Sequence, residues 1–238
     1  MILLFLFFFI QGVNGYRSCS NKNCIQESFY NISQVSKDSS LGYRDNKTYH
    51  DINQMSLSLH NLWKNNSNYN LYSSMNMKID YRNIEGRNYV SSVKNQGQCG
   101  SCWSFSTTGA LEGAYFIKNG ELLSFSEQEL VDCDNFKNGG RDHGCNGGLM
   151  DNAFEWIIEN GGVDSENQYR YKASFDECKT RKTLLHIASI DGFNDVPSND
   201  ESALKKAVSQ QPVSVAIEAD QRSFQLYGGG VYHAEDCG

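Results

Sequence analysis

The chain has 238 residues, a length that allows one large domain or two small ones. It carries 21 basic and 28 acidic residues, and its net charge of −7 argues against a nucleic-acid-binding protein, which would normally carry a basic face. With 2 Pro the composition excludes collagen-like and polyproline-rich chains, and 8 Cys are too few for a disulfide-dense miniprotein but indicate an oxidising compartment.

The first fifteen residues are typical of a secretory signal peptide. Ile2 to Ile10 is an unbroken apolar run that is too short to cross a bilayer, which needs about 20 apolar residues. Small residues follow at Val13-Asn14-Gly15, as at a cleavage site. We predict a protein of the secretory pathway, extracellular or lysosomal/vacuolar, with no stable membrane span; an uncleaved anchor is the alternative.

Residues 16–77 form a polar leader that is rich in Asn and Ser. Its apolar residues show neither a sustained helical period nor a sustained strand period, so we predict mostly loop. Cys19 and Cys24 lie close enough along the chain to pair with each other.

Clear helix signals begin after Lys78. Four segments carry a helical period or a capping box: Trp103–Lys118, Ser126–Glu129, Met150–Ile158 and Ser198–Glu201. The first and third stop at Gly120 and Gly161, which are typical helix-ending glycines. Strand patterns come later, weakly over Ile187–Phe193 and by alternation at Val213, Val215 and Ile217. Helices followed by strands predict an α+β arrangement.

The strongest local feature surrounds Cys102 and reads Asn95-Gln96-Gly97-Gln98-Cys99-Gly100-Ser101-Cys102-Trp103-Ser104-Phe105. Cys102 lies where a loop becomes the first long helix. Backbone N–H groups and the helix dipole at that end favour a thiolate, so Cys102 is a candidate nucleophile. Gln96 lies upstream on a turn with Gly97, where its amide could donate to a developing oxyanion.

Other interpretations of the same residues stay open at this point. Cys99 and Cys102 form a C-x-x-C pair that could be a redox dithiol. A zinc site would need two more ligands, for which Cys133 and Cys145 are available. Without further context, Gly147-Gly148 predicts a loop, and Leu149 and Met150 predict the start of a buried helix face.

The Cys-Gly-Ser-Cys-Trp string resembles the active-site segment of the papain-like cysteine peptidases, the family that includes cathepsin L. Other segments match that family in order: Ile79–Arg82, Glu129–Asp134, Gly144–Asp151, Asp195–Pro197, Gln211–Ile217 and Gly230–Tyr232. The resemblance runs from about Ile79 to Gly238. It implies a two-lobed α+β fold, with a helical left lobe around a long central helix and an incomplete β-barrel right lobe.

The resemblance implies a role for each matching residue. Cys102 would be the nucleophile, and Gln96 with the Cys102 backbone N–H would form the oxyanion hole. Two disulfides would form, Cys99–Cys145 and Cys133–Cys178. The implied substrate-binding residues are Gly147 and Gly148 along the cleft, Leu149 and Met150 in an apolar S2 pocket, and Trp103 packed behind the nucleophile. The implied protein is a monomer without cofactor or metal that takes peptide or protein substrates and is bound by cystatin-like inhibitors.

The catalytic base is harder to place. The family's His and Asn follow the Cys by about 130–150 residues. His233 falls in that window, but it precedes Cys237, whereas the family's His follows the matching Cys. We therefore expect the catalytic His beyond Gly238 and interpret residues 78–238 as a partial peptidase domain in a C-terminally truncated chain. His143, beside Asp142, is predicted to be an exposed loop residue.

These observations lead to a ranked set of hypotheses. The first is a cysteine endopeptidase that forms a thioester at Cys102 and prefers an apolar P2 residue, with residues 16–77 as a degenerate propeptide. The alternative is a non-catalytic homologue that binds peptides or inhibitors. The third is a secreted disulfide oxidoreductase, which a Cys99–Cys145 bond would exclude.

Overall fold

The structure, a computed structural model, describes residues 29–37, 79–179 and 186–217 together with 224, 226 and 228. Its elements are strand β1 (Phe29–Lys37), helices α1 (Cys102–Asn119), α2 (Glu127–Cys133) and α3 (Met150–Asn160), a 3₁₀ turn (Phe136–Asn138), strand β2 (Ala188–Val196) and helix α4 (Glu201–Val208). Three helices thus come before the main strand, as the α+β prediction requires.

Helix α1 is the centre of the core. Leu111 and Tyr115 are completely buried, and Phe105 is nearly so. The buried positions lie on almost every side of the helix, which indicates that other elements surround it. The helix ends at Gly120, whose φ of 73° is left-handed and whose N–H donates to the Phe116 carbonyl, as predicted.

The predicted capping box at the start of α2 is half formed. Ser126 Oγ accepts from the Glu129 N–H at 2.9 Å. The Glu129 carboxylate does not return the bond to Ser126, because it accepts from the Asp164 N–H at 2.6 Å instead. A tertiary contact therefore replaces the local half of the motif and ties α2 to the segment that follows α3.

Helix α3 ends at Gly161 (φ 82°), as predicted. Its buried face includes Phe154 and Ile157, but Trp156 is also buried and Ile158 only partly so. At α4 the predicted cap was wrong. Asp200, not Ser198, is the N-cap, because the helix begins at Glu201 and Asp200 Oδ1 accepts from the Ala203 N–H at 2.9 Å.

Strand β2 covers the predicted Ile187–Phe193 region and continues to Val196. It pairs antiparallel with β1, in a register that runs from Phe29 opposite Val196 to Lys37 opposite Ala188. The prediction that the leader is mostly loop was therefore wrong for residues 29–37. The hydrogen-bonding edge of β2 lies about 160 residues further along the chain, so a local period could not reveal it. The rest of the leader and the predicted signal peptide lie outside the described residues.

The segment around Val215 also differs from its predicted strand. Ser214 is the buried residue, and its Oγ donates to the Ser106 carbonyl of α1 at 2.8 Å. Val213 and Val215 are only partly buried, against a small cluster that contains Ala207. The bonds of Ser214 and Val215 to Ser106 hold the serine side of the segment against α1.

None of the helices in the described ranges combines the length and the apolarity that crossing a membrane would demand.

Candidate active site

The Cys102 thiol lies at the first residue of α1. The side chain is exposed and remains a thiol, whereas the next residue, Trp103, is 1% exposed. The 18-residue helix directs the positive end of its dipole at this position, which favours a negative sulfur. The backbone therefore presents an accessible nucleophile on a rigid, buried support.

The loop that precedes Cys102 is held by hydrogen bonds within it and to the distant residues Tyr171 and Cys145. The Gln96 side-chain amide donates to the Cys99 carbonyl at 2.8 Å. An amide NH₂ group has a second N–H that it can donate to a ligand. Gln96 therefore lies in the loop that leads directly to the thiol, as its predicted role requires.

Tyr171 is a site residue that the sequence analysis missed. Its phenol donates to the Gln96 carbonyl at 2.7 Å and lies 2.5 Å from Ser101 Oγ. Burial raises the pKa of Tyr171 to about 12, so the phenol keeps its proton and can donate. Because these contacts join residues 70 or more positions apart, no local pattern signals them.

Two disulfides attach neighbouring loops to this region. Cys99 bonds Cys145 and Cys133 bonds Cys178, closing loops of 46 and 45 residues. Crosslinks over loops of this length contribute about 4 kcal/mol each in the chain-entropy account. Cys99 is thus not available for a dithiol with Cys102, and the part of the chain that the structure describes contains no cluster of three or more metal-binding side chains.

A second loop is brought against the first by the Cys99–Cys145 bond. The Gly100 N–H donates to the Cys145 carbonyl at 3.0 Å. A Cβ on Gly100 would lie 2.5 Å from that carbonyl oxygen, so only glycine allows the approach. Trp103 Nε1 adds a 3.2 Å bond to the Gly144 carbonyl.

Residues 147–149 form the outer part of this second loop, and we call them the wall. A Cβ on Gly148 would lie 2.6 Å from a Trp103 ring carbon, so the glycine packs directly on the indole. Leu149 is 53% exposed, whereas Met150 is 5% exposed and belongs to the core. Of the two predicted pocket residues, only Leu149 offers apolar surface at the wall.

Trp103 requires a correction as a substrate-binding residue. Its side chain is almost completely buried and presents no surface on which a peptide could bind. It packs behind the nucleophile and supports Gly148 from inside.

A buried ionic cluster lies beneath the Gln96 loop. Lys94 Nζ is 2.5 Å from Glu112 Oε1 on α1 and 2.5 Å from Glu127 Oε1 on α2. The two glutamate side chains are 0% and 1% exposed, and Lys94 is 17% exposed. Burial raises the pKa of Glu127 to about 7, a net value that includes the lowering effect of Lys94 and the raising effect of Glu112. The cluster fixes the base of the loop to both helices.

Neither of the histidines in the described ranges has the surroundings of the expected base. His143 is exposed and its ring lies 5.6 Å from that of Phe136, in agreement with the predicted loop histidine. His186 Nε2 lies 3.1 Å from Asn160 Nδ2, at the far end of α3 from the wall, roughly 15 Å away at 1.5 Å per residue. His50, His60 and His233 lie outside the described residues.

An accessible thiol at the start of a buried helix, with an amide-bearing loop and a glycine-containing wall beside it, is the arrangement expected of a thiol-dependent peptidase. Comparison with known families agrees with this class. The family model described as papain family cysteine protease matches residues 75–238, and the chain belongs to that family. The predicted α+β papain-like fold and the assignment to the cysteine endopeptidases by family are confirmed.

Named relatives come from plants. The chain is 52% identical over 160 residues to cysteine endopeptidase RepA of Oryza sativa subsp. japonica, which covers 67% of this chain and 40% of that protein. It is 54% identical over 154 residues to the probable cysteine protease RD21B of Arabidopsis thaliana, which covers 65% of this chain and 32% of that protein. The chain thus spans about a third to two fifths of the length of these relatives.

Solved structures show the same likeness. The bromelain protease from Ananas comosus, in complex with the E64 inhibitor, aligns with a TM-score of 0.56 and 42% identity, over 62% of this chain and 65% of that one. The ragweed pollen allergen Amb a 11, a cysteine protease in its proform, aligns with a TM-score of 0.57 and 45% identity, over 63% of this chain and 39% of that one.

Proposed function

We propose that this chain carries the nucleophile and the substrate wall of a cysteine endopeptidase, with Cys102 as the attacking residue. The observation that carries the proposal is the exposed Cys102 thiol at the first residue of the buried helix α1. The adjacent wall, which packs on Trp103, supplies a surface where a peptide could lie.

The proposed chemistry is acyl transfer. The Cys102 thiolate attacks the scissile carbonyl carbon, and the carbonyl π electrons move to oxygen to form an oxyanion. Collapse of this intermediate breaks the C–N bond, and the amine leaves with a proton from a general acid. Water then attacks the thioester, releases the carboxylic acid and returns the thiol.

The oxyanion is assigned to two donors, the Gln96 side-chain amide and the Cys102 backbone N–H. The amide already lies in an ordered position, because one N–H is bonded to the Cys99 carbonyl and the loop is held by Tyr171. Donors that are fixed before the reaction stabilise the developing charge without further reorganisation.

The general acid and base are not assigned to either described histidine. The His143 ring lies tilted beside that of Phe136, and His186 pairs with Asn160 at the other end of α3. The proposal therefore requires an imidazole from another part of the protein, and the matched relatives are longer than this chain.

Substrate choice is assigned to the wall. A peptide in extended form could pair its backbone along Gly147 and Gly148, where no side chain intervenes. The exposed Leu149 would contact an apolar P2 side chain, with Met150 in the core beneath it. The proposed protein is a monomer, and its proposed partners are peptide and protein substrates and cystatin-like inhibitors.

The two disulfides support a secretory compartment, extracellular or lysosomal/vacuolar, since such bonds persist where the environment is oxidising. The division into signal peptide (1–15), leader (16–77) and peptidase region (78–238) stays a prediction.

The test uses the 238-residue chain and Cys102→Ser. We expect a peptidyl epoxide with leucine at P2 to label the wild-type chain on Cys102 and to leave the variant unlabelled. A fluorogenic peptide is assayed with the same two proteins. Turnover of the peptide by the wild-type chain, with none by Cys102→Ser, supports an endopeptidase. Labelling without turnover would overturn activity for this chain and indicate a peptide-binding role.

A further inference from the structure

The loop between α2 and α3 is built around two buried carboxyl groups. Asp134 and Asp142 are 0% and 2% exposed. Asp134 Oδ1 accepts from the Arg141 N–H at 3.0 Å, which closes the first half of the loop. Asp142 Oδ1 accepts from the Leu149 N–H at 3.0 Å and from Asn152 Nδ2 at 2.8 Å, which connects the second half to the wall and to α3.

The two carboxyl groups lie close enough for the charge of one to act on the other, and burial raises the pKa of both. Within the ranges that the structure describes, Asp134 Oδ2 and Asp142 Oδ2 are both buried with no hydrogen-bond partner. A carboxylate can only accept, so a proton shared between the groups would give both oxygens a partner. Burial, and then the charge of Asp142, raise the pKa of Asp134 to about 8, so the pair keeps a proton at neutral pH.

Few charges surround the pair. Arg141 lies in the same loop, but its guanidinium is bonded to Glu155 of α3 at 2.5 Å. Burial raises the pKa of Asp142, whereas its bond with Asn152 and the charge of the exposed His143 lower it. On the α1 side, the uncharged Trp103 ring lies beside Gly148. The charge that acts most on Asp134 is therefore that of Asp142.

Asp142 also contacts the wall directly. A Cβ on Gly148 would lie 2.7 Å from Asp142 Cγ and 2.6 Å from a Trp103 ring carbon. The carboxylate and the indole thus fill the space that a side chain of residue 148 would need, and the next N–H, of Leu149, donates to that same carboxylate.

We propose that Asp142 is a positioning residue for peptide binding, which holds the Gly148–Leu149 backbone against Trp103, and that Asp134 secures it through a shared proton. The inference rests on the proposed function only in naming a peptide as the ligand. When the pair loses its proton, two buried carboxylates repel each other and the wall loosens. The contribution of the shared proton to this hold is therefore complete below the ordinary Asp pKa of 3.8, declines as the pH rises, and is gone above about 8.

The experiment compares the wild-type chain with four variants. Asp142→Ala removes the acceptor, and Asp142→Asn keeps an acceptor for Leu149 and offers an N–H to Asp134. Asp134→Asn provides an amide N–H that can donate to Asp142 and that does not titrate. Glu177→Gln is the matched control, since its carboxylate belongs to an exposed ion pair with Lys137 of the same loop.

The first measurement is the protection of the Leu149 amide in millisecond-mixing hydrogen–deuterium exchange, which needs no catalysis. At pH 7 we expect Asp142→Ala to lower the protection factor about tenfold to a hundredfold, since the bond to a charged acceptor is lost. Asp142→Asn and Glu177→Gln should stay within about threefold of wild type. Between about pH 5 and pH 8 wild-type protection should fall, whereas that of Asp134→Asn should not.

The second measurement is the rate at which a peptidyl epoxide labels Cys102, divided by the rate for iodoacetamide. The division removes changes in the reactivity of the thiolate itself. We expect Asp142→Ala to lower this ratio about tenfold at pH 7, with rescue by Asp142→Asn.

The outcomes separate the two proposals. An unchanged Leu149 amide in Asp142→Ala, or the same pH response in Asp134→Asn as in wild type, overturns the inference. A wild-type chain that reacts with iodoacetamide but not with the epoxide overturns the proposed function, and the exchange data still decide the role of Asp142.

Discussion

The buried cluster around Lys94 allows a sharp test of how the active-site loop is held. Lys94→Met keeps a long, unbranched side chain and removes only the cation. Glu112 and Glu127, at 0% and 1% exposure, would then remain together without a positive charge at 2.5 Å. Leaving buried charge without its partner costs about 3–5 kcal/mol, a large share of the roughly 5–15 kcal/mol that stabilises an ordinary domain.

The remaining bonds do not remove this cost. Glu112 still accepts from Ser91, Ser124 and the Phe125 N–H, and Glu127 still accepts from Thr108. These neutral donors cannot cancel two negative charges. In the variant we expect the pKa of Glu127 to rise further, so the loss of stability should be largest at pH 7–8 and should shrink as the pH falls toward 5.

The assay is urea unfolding followed by tryptophan fluorescence, because Trp103 and Trp156 are buried. Lys137→Met is the matched control, since Lys137 pairs with Glu177 where both side chains are more than three quarters exposed. We expect the control to lower the free energy of unfolding by less than about 1 kcal/mol. A loss of the same size for Lys94→Met at pH 7 would refute the reasoning, because the cluster would then behave as if it were in water.

Three further predictions concern the wall, the loop and pH. Gly148→Ala puts a Cβ 2.6 Å from the Trp103 ring, so we expect a loss of about 1–3 kcal/mol and slower peptidyl-epoxide labelling; unchanged values would mean that the wall is loosely packed. Tyr171→Phe loses both phenol hydrogen bonds, and we expect a loss of about 1–3 kcal/mol with slower labelling of Cys102, whereas wild-type rates would contradict the linking role. Burial raises the pKa of Glu127 from 4.5 to about 7, so the free energy of unfolding should fall as the pH rises between these two values. Glu127→Gln should lack this fall. An identical fall in the variant would exclude Glu127 as its origin.

Local patterns predicted the helices of the site well. The period from Trp103 and the glycine at Gly120 predicted α1 to within a residue at each end. The apolar stripe from Met150 predicted α3 in the same way. Such signals work because helix hydrogen bonds join residues four apart, and the residues that end a helix lie next to it.

The failures share one physical cause, which is competition from distant partners. The Asp164 N–H donates to the Glu129 carboxylate, which therefore does not complete the capping box. Ser214 bonds Ser106 and is buried, whereas Val213 was predicted to be the buried residue. The leader strand Phe29–Lys37 depends on an edge of β2 that comes much later in the chain. In each case a local preference worth about 1 kcal/mol was overruled by a bond made across the fold.

The sequence by itself predicted the candidate nucleophile Cys102, the helix that carries it and, through resemblance, the family, because each of these depends on residues that are adjacent along the chain. Only the tertiary structure decided what holds the Cys102 loop and the wall in place. Tyr171 reaches Gln96 and Ser101 across 70 or more residues, and Lys94 joins two helices. Asp142 was visible only as the neighbour of His143, and its bond to Leu149 appears once the loop is folded. Burial and distance decide whether a charged or polar side chain supports a site, and neither is set by local order along the chain.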